Sequence, residues 1–551
     1  MPQISKASQV ASLANDIVSV KDFGAVGDGV TDDTAAIQAA LDTGSNVDFG
    51  DYSNTYKVTV SGGAGTQALV TNNKGQELIG TATIKRASSS LGYILRVAHD
   101  NTVIKGLTFD GNRGNVLDDA GAQHAIRSYN TDNCEISRCK FINNPAACLD
   151  LDTINGWNIH SNTFIGGFRS HLVIGVTGDT TSDKSGHNLI NNNLFDGTDD
   201  GQVANGIFLS ADSDSVGGKV NAEVIYTSIT GNTFRNIGDA AIESGYKCKY
   251  TAIVGNTVLD SYNVGILIRD NFKSLVSSNT VNAKSGGAGN NFGIFVDGDQ
   301  LGALPIVDCY LSITGNTVYD ATECLTIVDA SHCTVTGNVF HGSSLSSTVG
   351  VNIKAPYTTV TGNDISRVQF GIRLADSRLL TELSNCLISS NNISNVVDFT
   401  KIETTSLINS ALLNNMISNV SGNLCRVSGS TITNVRWSGN INTDNVFHTI
   451  EDSTDQFVLS NNGFERSAPA VQFAAITIQL NALSGIITVR GDSGEAAVFL
   501  ITPTTVTSIQ ESTSIGDVSS AKDYRVEFSG ASLIIKRYAP SQTISTFYIE
   551  R

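Results

Sequence analysis

Glu243, Arg269 and Asp297 recur at intervals of 26 and 28 residues, each at the end of a short apolar segment of the same kind. The segments read Gly206-Ile207-Phe208-Leu209, Ala241-Ile242-Glu243, Gly265-Ile266-Leu267-Ile268, Gly293-Ile294-Phe295-Val296 and Cys324-Leu325-Thr326. If each is a strand, period-two alternation turns Ile207, Ile242, Ile266, Ile294 and Leu325 inward. Phe208, Glu243, Leu267, Phe295 and Thr326 then face outward, followed two residues on by Ser210, Gly245, Arg269, Asp297 and Val328. One sheet face so carries Glu243, Arg269 and Asp297 on successive rungs about 4.8 Å apart, with Asp212 and Asp299 nearby. Converging carboxylates suit glycoside hydrolysis, where one acid protonates the leaving oxygen and a second activates water or attacks. A separation of about 5–5.5 Å serves retention and about 6.5–9.5 Å inversion. Glu243, Asp212 and Asp297 are the leading acids.

Other residues at this place fit a binding role. Arg269 can orient a sugar hydroxyl or carboxylate, or pair with Glu243 or Asp297. Tyr246, Phe208, Phe272 and Phe295 offer rings for stacking, and Lys247, Asp270 and Asp299 offer polar contacts. Two other chemistries are open. A β-eliminating lyase needs a base such as Lys247, His171 or Tyr246, often with Ca²⁺ on carboxylates. A non-catalytic adhesive spike keeps the groove without a converging acid pair. Each acid taken alone reads more simply as a solvated residue of a sheet face.

The elements that position these residues follow from a repeat. Ile229-Thr230-Gly231-Asn232-Thr233-Phe234 returns as Val254-Gly255-Asn256-Thr257-Val258 and Ile313-Thr314-Gly315-Asn316-Thr317-Val318, with looser copies around Asn162, Asn193, Asn279, Asn338, Asn363, Asn391, Asn415, Asn440 and Asn462. Steps of 24, 23, 22 and 25 residues separate Asn232 from Asn256, Asn256 from Asn279, Asn316 from Asn338, and Asn338 from Asn363. A fixed period in this range marks a solenoid, because one repeat cannot bury its own apolar face. Val, Ile, Thr and Phe flank each Gly-Asn, which reads as a turn between strands. No 3.6-residue spacing appears inside a repeat. The pattern predicts an all-β, right-handed parallel β-helix, with handedness following the rule for parallel crossovers.

Coil lengths are uneven. From the inward residue to the next turn Asn is 14 residues for Ile242 and 13 for Ile266, but 25 for Ile207 and 22 for Ile294. Insertions near 212–224 and 298–308 therefore leave the same corner above and below two plain coils. The predicted groove has a floor at 243–247 and 269–271.

Composition limits the function classes. The 551 residues carry 35 Lys and Arg against 52 Asp and Glu, a net charge of −17. That argues against nucleic acid, which demands a basic surface. No apolar run is long enough to insert into a membrane, and the first residues lack the layout of a signal peptide. Nine cysteines show no CxxC pair. Cys134, Cys333 and Cys386 each fall five residues before a turn position and are expected inside the coil as small hydrophobes. The scattered histidines show no ligand spacing, so neither a metal nor a cofactor is expected. Trp437, three before Asn440, is expected in the core. No GxSxG, HExxH or P-loop occurs, and only Asp199-Asp200 matches the polygalacturonase series.

The start of the chain is specific. Val18 to Leu41 reads as a short strand, a Gly-rich turn (Phe23-Gly24-Ala25-Val26-Gly27-Asp28-Gly29) and a helix. Thr31 or Asp32 is expected to cap that helix, Asp33 to favour its positive end, and Ile37, Ala40 and Leu41 to form its apolar face. This segment, with the coils that follow, resembles the N-terminal signature of the pectate-lyase-like β-helix superfamily. Within it the chain is most similar to bacteriophage tailspikes that degrade capsule or O-antigen polysaccharide. The resemblance implies a homotrimer, attachment to a phage tail, synthesis in the host cytoplasm and action on a bacterial surface polysaccharide at the host cell surface. The expected division is a lead-in with capping helix and first strands (1–100), the β-helix (101–467), and a C-terminal antiparallel β-sandwich that holds the trimer (468–551). Five strands are expected there, at 475–480, 485–489, 497–501, 524–528 and 533–537.

Overall fold

The structure is a computed structural model. It describes residues 17–551 apart from 63–64, 89–90, 116–122, 177–183, 198–204, 212–221, 284–290, 299–306, 378, 428–430, 434, 439, 443–449, 453–474, 480–484, 492–495, 503–504, 512–523, 530–531, 538–543 and 551; beyond residue 440 only backbone is described. The fold is a right-handed parallel β-helix, and the chain divides into two compact units, residues 1–280 and 281–551.

In the first unit, successive coils align like residues in register. Ile207 pairs with Ile242 and Ile242 with Ile266. Phe109, Phe141, Phe164, Phe195 and Phe234 form one internal column, with ring centroids 4.7–5.3 Å apart. All five are fully buried. Placing identical side chains one above another buries apolar area on every rung, which stabilises the stack without local propensity.

The repeated Asn has a different role from the one its sequence suggests. The left-handed position is the residue before it, Gly231 (φ 64°), Gly255 (φ 64°), Ser161 (φ 57°) or Asn192 (φ 55°). Asn162, Asn193, Asn232, Asn256 and Asn279 are buried. Each of the first four donates its side-chain amide to the Oδ1 of the next at 2.9–3.0 Å. Each Oδ1 also accepts a backbone N–H from the rung before. The ladder thus satisfies backbone groups that the turn takes out of the sheet. In the second unit the same ladder runs from Asn316 through Asn338, Asn363, Asn391 and Asn415 to Asn440, at 2.8–2.9 Å.

The helix Thr34–Asp42 forms as expected, and Ile37, Ala40 and Leu41 are fully buried. Asp32 bonds Thr34 N–H at 3.1 Å, as a cap would. Asp33 differs. It holds the N-cap position, yet its buried carboxylate turns back to accept Val26 N–H at 2.6 Å and Gly27 N–H at 3.1 Å. It pins the Gly-rich turn and makes no side-chain bond to the helix. Gln76 donates to the Leu41 carbonyl at 2.9 Å and closes the other end.

All nine cysteines are buried and free, so Cys134, Cys333 and Cys386 are internal as expected. The C-terminal strands are antiparallel. Ala475–Gln479, Ser532–Arg537 and Tyr524–Ser529 form one set, and Thr505–Glu511, Ala496–Thr502, Gly485–Gly491 and Ile544–Glu550 another. Two of these seven strands, Thr505–Glu511 and Ile544–Glu550, escape the sequence pattern. In the first, a register shift between Val498 and Phe499 of its partner breaks the alternation that would have betrayed it. The side chain of Trp437 lies outside the described residues.

Candidate active site

Glu243 lies in the strand Ala240–Ser244, between Phe208 on the rung before and Leu267 on the rung after. The outward column predicted from sequence is therefore present in the first unit. It extends back through Val173, Asp150, Arg127 and Arg96.

The floor is less open than expected, because Glu243 is only 4% exposed. Its Oε1 accepts Arg269 Nη1 at 2.6 Å and its Oε2 accepts Asn205 Nδ2 at 2.9 Å. Asn205 in turn accepts Ala240 N–H at 3.1 Å, which fixes the amide. Arg269 ends the strand Val264–Arg269. Buried Asn271 secures the turn behind it, donating to the Arg269 and Ser244 carbonyls at 2.7 Å. Burial raises the Glu243 carboxyl above the usual range; Arg269 and Asn205 pull it back, and the charge of Asp239 pushes it further up. Asp239 is half-buried and accepts Asn263 Nδ2 at 2.6 Å.

Tyr246, Lys247 and Asp270 sit half-buried on the corners that follow the Glu243 and Arg269 strands, and Lys247 and Asp270 adopt left-handed backbone (φ 55° and 44°). Phe208 is half-buried on the rung beside Glu243. Phe272 packs edge-on against Tyr250, with Lys273 over its face at 4.9 Å. Asp297 and Phe295 belong to the second unit, where they pair in register with Val328 and Thr326. Asp297 is 4% exposed, and Phe295 lies 4.8 Å from Phe292. Asp212, Asp299, Asp199 and Asp200 lie outside the described residues, as do most of the two predicted insertions. His171 is not a surface base. It is buried between Phe164 and Phe195, bonds the Gly166 carbonyl at 3.1 Å, and burial lowers its pKa to about 4.

The sequence reading missed Asp239 and Asn205, which stand at coil corners where period-two alternation gives no facing. It also missed a second polar cluster on the same face. Arg127 pairs with both Asp150 and Asp152, and His124 Nε2 lies 2.8 Å from Asp150. The alternation in Leu149-Asp150-Leu151-Asp152 is the signal that could have found it. Three rungs separate Asp150 from Glu243, roughly 14 Å. That exceeds the span of an acid pair acting on one glycosidic bond, so the two clusters cannot act together on a single bond. Among the described residues no group of His, Cys, Asp and Glu is arranged to hold a metal.

No family model and no curated protein matches the sequence. Solved structures do match. A double mutant of the tailspike protein of E. coli bacteriophage HK620 aligns at 13% identity over 98% of this chain and 94% of that one, with a TM-score of 0.54. A mutant of the same tailspike in complex with a pentasaccharide aligns at 12% over 98% and 95%, with a TM-score of 0.52. The fold is that of the tailspike β-helices. The A-module of an Azotobacter vinelandii mannuronan C-5 epimerase also matches, at 17% identity over 78% and 100%, with a TM-score of 0.35.

On this tailspike-type scaffold, Glu243 is a carboxyl that burial favours in its protonated form, with a donor on each oxygen and a second carboxylate acting on it. Such a group can deliver a proton to a leaving oxygen. Phe208 beside it is a half-buried aromatic ring.

Proposed function

We propose that the protein is a tailspike depolymerase that cleaves glycosidic bonds of a bacterial capsule or O-antigen polysaccharide by endo-hydrolysis. The observation that carries the reading is the buried Glu243, raised in pKa and held between Arg269 and Asn205 on the outward face. Glu243 is the general acid. Asp239 is the nearby carboxylate that activates water or attacks, and Asp212 is the alternative in that role. Asp297 is a further candidate acid, in the second unit. Arg269 orients Glu243, while Phe208, Tyr246, Lys247 and Asp270 contact sugar; Phe295 and Asp299 are proposed for the same role. The test is incubation with purified capsular and O-antigen polysaccharides. New reducing ends without the ultraviolet absorbance of an unsaturated uronate support hydrolysis, the absorbance supports a lyase, and no new ends from any substrate that binds refutes cleavage.

One observation favours a second reading. Arg269 Nη1 occupies one oxygen of Glu243 in the free protein, as suits an adhesive spike that binds polysaccharide without cutting it. The reducing-end assay separates the two. The proposed assembly is a homotrimer on a phage tail, made in the host cytoplasm, with residues 468–551 holding the trimer.

A further inference from the structure

Along one corner of the first unit, aromatic rings stack in left-handed positions. His187 (φ 54°), Tyr226 (φ 50°) and Tyr250 (φ 56°) follow one another on successive coils. His187 and Tyr226 have centroids 5.0 Å apart at 18°, and Tyr226 and Tyr250 4.8 Å at 7°. The coil before His187 has Gly156 at this position, since the bridge Asn155–Gly186 sets the register. Gly156 shares the left-handed backbone of the ladder, with φ +69°, but carries no ring. The ring ladder therefore begins at His187.

A cavity of about 440 Å³ lies at this end, lined by His187 together with Asn130, Asp132, Thr153, Asn155 and Lys184. The volume falls within the roughly 300–1,000 Å³ of small-molecule pockets. Lys184 is held at the rim by Glu223, 2.7 Å away, and Glu223 also binds Lys249 at 2.5 Å. The lining thus combines one aromatic ring with amide, hydroxyl, carboxylate and ammonium groups.

We propose that this cavity is a second glycan-binding site, in which one neutral pyranose ring stacks on His187. A pyranose matches the combination, with an apolar C–H face for the imidazole and hydroxyls for Asn130, Asn155 and Asp132. Asp132 disfavours an acidic sugar or a phosphate, as does the net charge of −17. The site belongs to the corner that carries the ladder and uses none of the residues around Glu243, so it stands whether or not Glu243 cleaves anything.

The test uses the full chain with methyl glycosides of glucose, galactose and N-acetylglucosamine as probes. Binding is followed by saturation-transfer NMR and by the imidazole carbon–proton signals of His187. At least one probe shifts those signals. His187→Ala weakens binding roughly three- to tenfold, the size of one aromatic contact. His187→Tyr, the residue that the ladder already holds at 226 and 250, retains it. Asp132→Ala, which leaves the ladder intact, also weakens it, and Glu243→Gln leaves it unchanged. Imidazole signals that no probe moves, or wild-type affinity in both the His187→Ala and Asp132→Ala proteins, would overturn the proposal.

Discussion

Arg269 Nη1 stands 2.6 Å from Glu243 Oε1, yet the carboxyl of Glu243 is raised above its usual range rather than lowered. Burial outweighs the ion pair, and Asp239 adds to it. An acid in this balance is poised to change protonation when a ligand displaces Arg269 or excludes the remaining water.

Glu243→Gln keeps the shape and removes the proton that is delivered. Turnover of a cleavable polysaccharide is expected to fall by about 10²–10⁴-fold with binding retained, as measured by reducing ends and by co-sedimentation. Asp239→Asn separates the partner: a comparable fall assigns Asp239 to water activation or attack. A fall in Asp212→Asn alone assigns Asp212 instead, and Asp297→Asn tests the second unit. Full activity in all four removes these carboxylates from the chemistry.

The pH dependence has a definite sign. Glu243 binds its proton more tightly folded than unfolded, so its contribution to stability is complete below the ordinary value of 4.5 and is lost as pH rises through the raised folded value. Activity that needs the protonated acid falls over the same upper limb. Unfolding midpoints of the wild type and of Glu243→Gln, taken across this window, should show a flatter curve for the variant. Parallel curves would show that Glu243 titrates normally.

The Asn ladder is a stability element. Asn256→Ala leaves the Asn232 backbone N–H without its acceptor, removes one of two acceptors of the Asn232 side-chain amide and removes one of two donors to Asn279 Oδ1. A loss of about 1–3 kcal/mol per orphaned buried group is expected in chemical denaturation. Asn338→Ala should do the same in the second unit. No loss at either site would make the ladder incidental.

The thiols should be silent in the folded protein. Burial pushes Cys139, Cys248, Cys333 and Cys386 up to about 12, so thiolate is scarce at neutral pH. A thiol-specific chromogenic reagent should label almost none of the nine cysteines until denaturant is added, then all nine. Rapid labelling of the native protein would contradict the burial.

Light scattering of the purified chain should give about three times its mass of 58.1 kDa. A clean monomer at micromolar concentration would remove the trimer from the proposal.

The coil is legible in the residues alone. Period-two alternation along each strand and the steps of 22 to 25 residues between Asn positions are properties of the chain, and they set which of Ile242 or Glu243 faces inward. A separate N-terminal pattern gives the helix Thr34–Asp42, and alternation gives five of the seven antiparallel strands at the end. Periodicity has no power at corners, where the chain leaves the strand repeat. Asp239 and Asn205 therefore stayed hidden, although both bear on Glu243. The buried state of Glu243 and the core position of His171 also needed the tertiary structure, because exposure depends on what other coils bring over a face. The Gly-Asn repeat shows the same division. Its turn is local and readable, whereas the amide ladder through Asn232 and Asn256 exists only once coils 24 residues apart lie one rung from each other.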